Sequence, residues 1–147
     1  MGQACQELIR ARRLPGIIGA DRIWSCAYVA DVARGYVEAL ERGRAGSQYQ
    51  LGGENVPQMR IFDVVRERSG RARPWRIPYA AADALGAVEE LRARLTGAAP
   101  LVTRGAVEIF RHDWPLDSGA AARDLEYRVT PLAEGLAATL ASIRQTP

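Results

Sequence analysis

With 147 residues, 48% of them hydrophobic and 25% charged, and a formal net charge of +3, the chain has the make-up of a single globular domain with enough apolar side chains for a core. That composition excludes a disordered or fibrous chain, and no apolar run approaches the ~20 residues of a membrane-spanning helix. All twenty basic residues are Arg and none is Lys, which excludes a Schiff-base lysine, a phosphate-gripping loop lysine and a Tyr-x-x-x-Lys proton-transfer pair.

The opening segment MGQACQELIRARR lacks an apolar core of signal-peptide length, so the expected location is the cytoplasm. Cys5 and Cys26 are too far apart for a metal knuckle or a redox pair and are read as two reduced, buried thiols. The Arg residues are dispersed among seventeen acids, and the tightest cluster, Arg66, Arg68, Arg71, Arg73 and Arg76, contains Glu67 and follows Asp63. Such a cluster reads as a solvated helix end, so no nucleic-acid partner is expected.

Cys5, Leu8 and Ile9 share one face of a predicted first helix that stops near Pro15 and Gly16. Ile23 to Val29 reads as a short extended run. From Asp31 onward, Val32, Ala33, Tyr36, Val37 and Leu40 recur at helical spacing, and Gly43 ends the helix with Arg42 and Arg44 beside its negative terminus. Asp31 stands where the orphan N–H groups of that helix need an acceptor and is read as a cap rather than a chemical group. Tyr49 and Leu51 alternate around Gln50, which predicts a brief strand closed by Gly52 and Gly53.

Pro57 is read as the first residue of a helix with Ile61, Phe62 and Val65 on its face and Gly70 as its stop. Trp75 to Ile77 reads as a second short strand cut off by Pro78. A long helix follows, with Ala84, Leu85, Val88, Leu91 and Leu95 on one side and Gly97 at its end. Glu89 and Glu90 lie on adjacent faces of it, do not form a carboxylate pair suited to glycoside chemistry, and read as solvated. Thr103 is expected to cap a short helix through Phe110, and Asp117 or Ser118 another. Thr130 and Pro131 open a last helix with Leu132, Leu136, Leu140 and Ile143 buried. The result is an α/β, helix-rich chain with only two or three short strands, too few for a sheet of their own and so expected to pair with strands the chain does not contain.

Several segments carry a family resemblance. YVADVARG (28–35) is similar to the signature aromatic-or-His, Val, x, Asp, Val, Ala, and YQLGGEN (49–55) is similar to the last strand added to the edge of a parallel sheet. RLTGAAPLVTRGAVEIF, HDWPLDSGAAARDLEY and RVTPLAEGLAATL follow in the order of a substrate-domain tail. In this order and spacing the chain resembles the C-terminal portion of an extended short-chain dehydrogenase/reductase of the NAD-dependent epimerase/dehydratase family, in the branch near dihydroflavonol-4-reductases and sugar-nucleotide epimerases. Glu126 departs from the pattern by replacing a Gly at a left-handed helix stop, and Val56-Pro57 replaces the common Ser or Thr cap.

The resemblance implies a single incomplete domain of Rossmann-type architecture. Residues 1–55 would supply the edge of the Rossmann-like region and the substrate loop, and 56–147 the helical substrate-binding part. The dinucleotide-binding half would be absent, since the chain has no G-x-G-x-x-G and no Tyr-x-x-x-Lys. No catalytic, cofactor-binding or metal-binding residue is therefore assigned. NAD or NADP is expected in a full-length form and not on this chain alone.

In the resembled family, the segment corresponding to Leu14–Tyr28 lines the substrate cleft. Here it holds Pro and Gly for a shaped loop, Arg22 for an anionic group, and Trp24 and Tyr28 for stacking on a ring. The structural alternative makes Trp24 and Tyr28 core aromatics and Arg22 a surface ion-pair partner. His112 is the sole His, so the usual two-His metal sites are out of reach, and without a G-x-S-x-G elbow it is expected to pack and hydrogen-bond beside Asp113 and Trp114. The function implied is the substrate-binding portion of an NAD(P)-dependent epimerase, dehydratase or reductase for a sugar nucleotide or small carbonyl compound, inactive by itself. Its expected partners are the absent Rossmann half or another copy of the chain, together with a small-molecule substrate. A self-standing, non-catalytic binding or assembly module is the alternative.

Overall fold

The computed structural model describes residues 16–70 and 72–145. The predicted helix around Cys5, Leu8 and Ile9, the loop start at Leu14 and Pro15, and Arg71 lie outside the described residues, as does the side chain of Ile143. In chain order the elements are β1 (Gly16–Ile17), β2 (Ile23–Cys26), α1 (Val29–Arg42), β3 (Glu54–Pro57), α2 (Gln58–Ser69), β4 (Trp75–Arg76), α3 (Tyr79–Thr96), α4 (Arg104–Ile109), α5 (Gly119–Leu125) and α6 (Leu132–Gln145). The described chain divides into two compact units, one from 16–20 with 72–112 and the other from 21–70 with 113–145. Its strands form two separate pairs, and no described helix is long and apolar enough to cross a membrane.

In the first unit β1 runs parallel to β4, with Gly16 opposite Trp75 and Ile17 opposite Arg76. Gly19 takes a left-handed φ of 68°, and a Cβ there would lie 2.3 Å from the Phe110 carbonyl oxygen, so the turn after β1 requires glycine on both counts. Pro78 directs the chain into α3, and left-handed Gly97 stops it by donating its N–H to the Ala93 carbonyl. The face of α3 that packs is the small one, Ala82, Gly86 and Glu89, and Gly86 admits the start of α4. The predicted face of Ala84, Leu85, Val88, Leu91 and Leu95 is exposed instead.

Glu89 and Glu90 also correct the expectation of solvated charges. Glu89 accepts from Arg92 and from the Leu101 N–H at 3.0 Å, while Glu90 accepts from the Arg104 N–H at 2.9 Å. The two carboxylates thus tie the loop 97–103 back onto α3. Thr103 caps α4 as expected, its hydroxyl oxygen accepting from the Ala106 N–H at 3.1 Å.

In the second unit β2 pairs antiparallel with β3, in the register Ile23↔Pro57, Trp24↔Val56, Ser25↔Asn55 and Cys26↔Glu54. Val56, Val64 and Leu132 form one core, joined by Cys26, Ile61 and Leu136, and α2 packs on α6 above it. Ala121, Leu125 and Tyr127 form another, joined by Ala39, Tyr49 and Leu51, where α1 meets α5. Tyr49 and Leu51 form no strand. Their side chains turn into this cluster, while the Gly52 N–H donates to the Ser118 hydroxyl and the Gly52 carbonyl accepts from the Tyr127 hydroxyl. Ser118 is thereby drawn away from its own helix, and Asp117 accepts the Gly119 N–H at the start of α5.

Helix α1 begins at Val29, earlier than its periodicity indicates, with Tyr28 in the capping position and no side-chain cap. It packs through Gly35 and Ala39. A Cβ at Gly35 would come within 2.9 Å of the Leu51 methyls, so this face is small because its neighbours are close. Val29, Tyr36, Val37 and Leu40 lie exposed, Leu40 to 89%. Pro57 ends β3 and occupies the capping position of α2 rather than its first turn, and left-handed Gly70 stops that helix.

Glu126 adopts the left-handed stop of α5 with φ 54°, and its carboxylate pairs with Arg42 at 2.7 Å. The left-handed region costs a side-chain-bearing residue ~1–2 kcal/mol, and an exposed ion pair returns less. Glu126→Gly is therefore expected to raise stability by ~0.5–1 kcal/mol in urea denaturation, and a loss of stability would show that the Arg42 pair outweighs the strain.

Candidate functional site

Of the predicted loop, Gly16–Ile17 belongs to the first unit and 21–28 to the second, so the segment serves two local structures rather than one. Arg22 and Trp24 lie on or beside β2. The ladder to β3 runs one step past the strand, the Gln58 N–H donating to the Arg22 carbonyl at 2.9 Å. Trp24 is half-buried and sits opposite buried Val56. Tyr28 lies at the far end, where its Cβ and ring lie 3.2 to 3.4 Å from where a Cβ on Gly135 of α6 would stand.

The other edge of β2 is occupied by a segment whose role the sequence did not reveal. The Trp114 N–H donates to the Ile23 carbonyl at 2.7 Å and its carbonyl accepts from the Ser25 N–H at 3.3 Å, which pairs Trp24 with Trp114 in parallel. The Asn55 side chain exchanges two hydrogen bonds with the Leu116 main chain, at 3.0 and 3.1 Å, and Gln50 accepts from the Asp117 N–H. Asp113 accepts the Ile23 N–H at 2.8 Å through Oδ1, while its Oδ2 stands 4.0 Å from the Arg22 guanidinium. Side by side, then, lie Val56, Trp24 and Trp114, with an arginine and a carboxylate at one end.

Glycine makes this arrangement possible. A Cβ at Gly53 would lie 1.9 Å from the Cys26 carbonyl oxygen, and the Gly53 N–H donates to the Ser25 hydroxyl at 2.9 Å. Cys26 is half-buried, and burial followed by the nearby Glu54 charge raises its thiol pKa, which favours the protonated form.

Asp31, read as a cap, has another task. Its side chain is buried, with 2% relative exposure for the residue, and its carboxylate accepts from the Thr130 N–H at 2.7 Å, the Thr130 hydroxyl at 2.9 Å and Arg34 at 2.7 Å. It therefore fastens the approach to α6 rather than the start of α1. Burial alone would raise its pKa, but the Thr130 hydrogen bonds and Arg34 outweigh burial and hold it below the usual value.

His112 does not pack. It is exposed at the end of the 104–112 segment, with Nε2 3.1 Å from Glu108. Among the described residues no group of three or more His, Cys, Asp or Glu could hold a metal ion. Along the described chain α1 follows β2 through Ala27 and Tyr28, and Pro57 and Pro78 precede α2 and α3.

No protein-family model and no curated protein matches the chain. Solved structures do. The protein gox2253 matches 98% of this chain with 44% of its own, at 27% identity and a TM-score of 0.74. UDP-glucuronic acid 4-epimerase from Bacillus cereus, solved in complex with NAD, matches 88% of this chain with 34% of its own, at 19% identity and a TM-score of 0.56. The chain thus spans less than half the length of either protein. Its helix-rich α/β structure with few short strands has, in coarse terms, the fold of part of an epimerase or short-chain dehydrogenase/reductase-like protein.

Proposed function

We propose that this chain is the substrate-binding portion of an NAD(P)-dependent epimerase, dehydratase or reductase acting on a sugar nucleotide or small carbonyl compound. What supports it most is the coarse likeness in fold to part of a UDP-glucuronic acid 4-epimerase solved with NAD, while the match of 98% of the chain to 44% of gox2253 supports its being one part of a longer fold. A dinucleotide-binding half would bring NAD or NADP and the proton-transferring Tyr and Lys, and this chain alone would neither hold the cofactor nor catalyse. Its own residues would bind and orient. Arg22 offers a planar fork to a phosphate or carboxylate, and Trp24 and Tyr28 offer ring faces. Binding energy spent far from the reacting carbon lowers the barrier by holding that carbon in reach of the chemistry.

The test is reconstitution with a dinucleotide-binding half. Arg22→Ala is expected to raise KM for an anionic substrate by about ten- to a hundredfold while cofactor affinity stays level, the size of a lost charge-assisted hydrogen bond. A matched fall in stability and cofactor binding, with substrate preference unchanged, would make Arg22 and Trp24 structural.

A further inference from the structure

Resting on that reading of Arg22 and Trp24, we infer that Asp113 and Trp114 complete the same site, Trp114 as the exposed stacking face for a ligand ring and Asp113 as a resident counter-ion that the ligand's anion displaces from Arg22. The ligand class is a planar ring joined to a phosphate or carboxylate.

Trp114 is fixed by its own main chain. Two hydrogen bonds to β2 hold it one strand spacing from Trp24, and the following residues are fastened by Asn55 and Gln50. Exposure rises along the row, from buried Val56 through half-buried Trp24 to Trp114 at 50%. Trp24 is thus rooted toward the core while Trp114 keeps indole surface in water, on a backbone that need not move to receive a ring.

The ion pair is loose by construction. Asp113 gives one carboxylate oxygen to the Ile23 N–H at 2.8 Å, which fastens it to the strand, and its other oxygen reaches only to 4.0 Å from Arg22, with both side chains nearly half exposed. A pair of that length in water contributes little. A ligand phosphate or carboxylate can meet the guanidinium fork with two shorter, parallel bonds, a stronger pairing than the one Asp113 makes. The tethered Asp113 carboxylate then remains close to the bound anion and repels it. It therefore sets affinity lower than Arg22 alone would give.

Calorimetric titration of the full 147-residue chain with uridine diphosphate, uridine and inorganic pyrophosphate separates the ring from the charge. Asp113→Asn keeps an acceptor for the Ile23 N–H and removes the charge, so it is expected to bind uridine diphosphate and pyrophosphate about three- to fivefold more tightly and uridine equally. Trp114→Ala is expected to weaken uridine diphosphate and uridine about tenfold, the size of one base–aromatic stack, and leave pyrophosphate unchanged. Trp114→Phe, which keeps a ring, should restore most of the loss, and melting temperatures close to wild type for Asp113→Asn and Trp114→Phe exclude a folding effect. If Arg22→Ala weakens uridine diphosphate while Asp113→Asn and Trp114→Ala both match wild type, this inference falls and the role of Arg22 stands. If neither wild type nor Asp113→Asn binds uridine diphosphate, both fall.

Discussion

Replacing Asp31 by Ala is expected to lower the stability of the chain by about 2–4 kcal/mol, the range for leaving charge-assisted hydrogen bonds unmade in a buried setting. Three donors converge on this carboxylate, two of them from Thr130, ninety-nine positions along the chain. Thr130 immediately precedes the Pro131 that leads into α6, so losing Asp31 frees the entry of a helix whose Leu132 and Leu136 line a core. The same carboxylate carries a pH dependence. Its folded pKa lies below the unfolded one, so its contribution is complete above the unfolded value of ~4 and drains away as pH falls from there through the folded value. Urea melts of wild type and Asp31→Asn at pH 7 and pH 3 measure it. The wild type should lose stability on acidification more steeply than the variant, and equal slopes would refute the assignment. The variant should still keep part of the slope. Arg92 and the Leu101 N–H lower the pKa of Glu89, and the Arg104 N–H and side chain lower that of Glu90.

What the sequence discloses is local. Thr103 as a cap and Gly70 and Gly97 as helix stops are visible because each is fixed by chemistry within a few residues. Asp31 misled because its acceptor role is local in type and distant in partner: an acid in a first turn looks like a cap until Thr130 arrives. Tyr49 and Leu51 alternate like a strand, but the Gly52 main-chain groups beside them go to Ser118 and Tyr127, which no local pattern predicts. The candidate site divides the same way. Arg22 and Trp24 stand out by residue type, whereas Asp113 and Trp114 acquire meaning only when the chain returns ninety residues later to the open edge of β2. Helical periodicity has a further limit. It finds the apolar stripes of α1 and α3 but cannot tell which face the fold covers, and here the small faces, with Gly35 in α1 and Gly86 in α3, are the ones that pack.

The uncovered stripe of α1 carries the other large expectation. Val29, Tyr36, Val37 and Leu40 stand in water on a helix whose opposite side is already packed, and apolar surface of this kind marks an interaction face. In gox2253 and the Bacillus cereus epimerase, 44% and 34% of the chain correspond to this protein, so more than half of each lies beyond the match. The dinucleotide-binding half is accordingly the proposed cover. Tyr36→Glu with Leu40→Glu should leave the isolated chain's stability within ~0.5 kcal/mol, because neither side chain is part of its core. The same pair should weaken association with that half by more than about a hundredfold, since each side chain is worth ~1.5–3 kcal/mol on burial and charges would now be desolvated. Co-purification and sedimentation of wild type and variant measure both effects. Undiminished association would place the contact elsewhere on the chain. Concentration-dependent dimers of wild type alone, lost in the variant and indifferent to the added half, would make a second copy the cover. The apolar stripe would then belong to an assembly module, the non-catalytic alternative, rather than to one half of an enzyme.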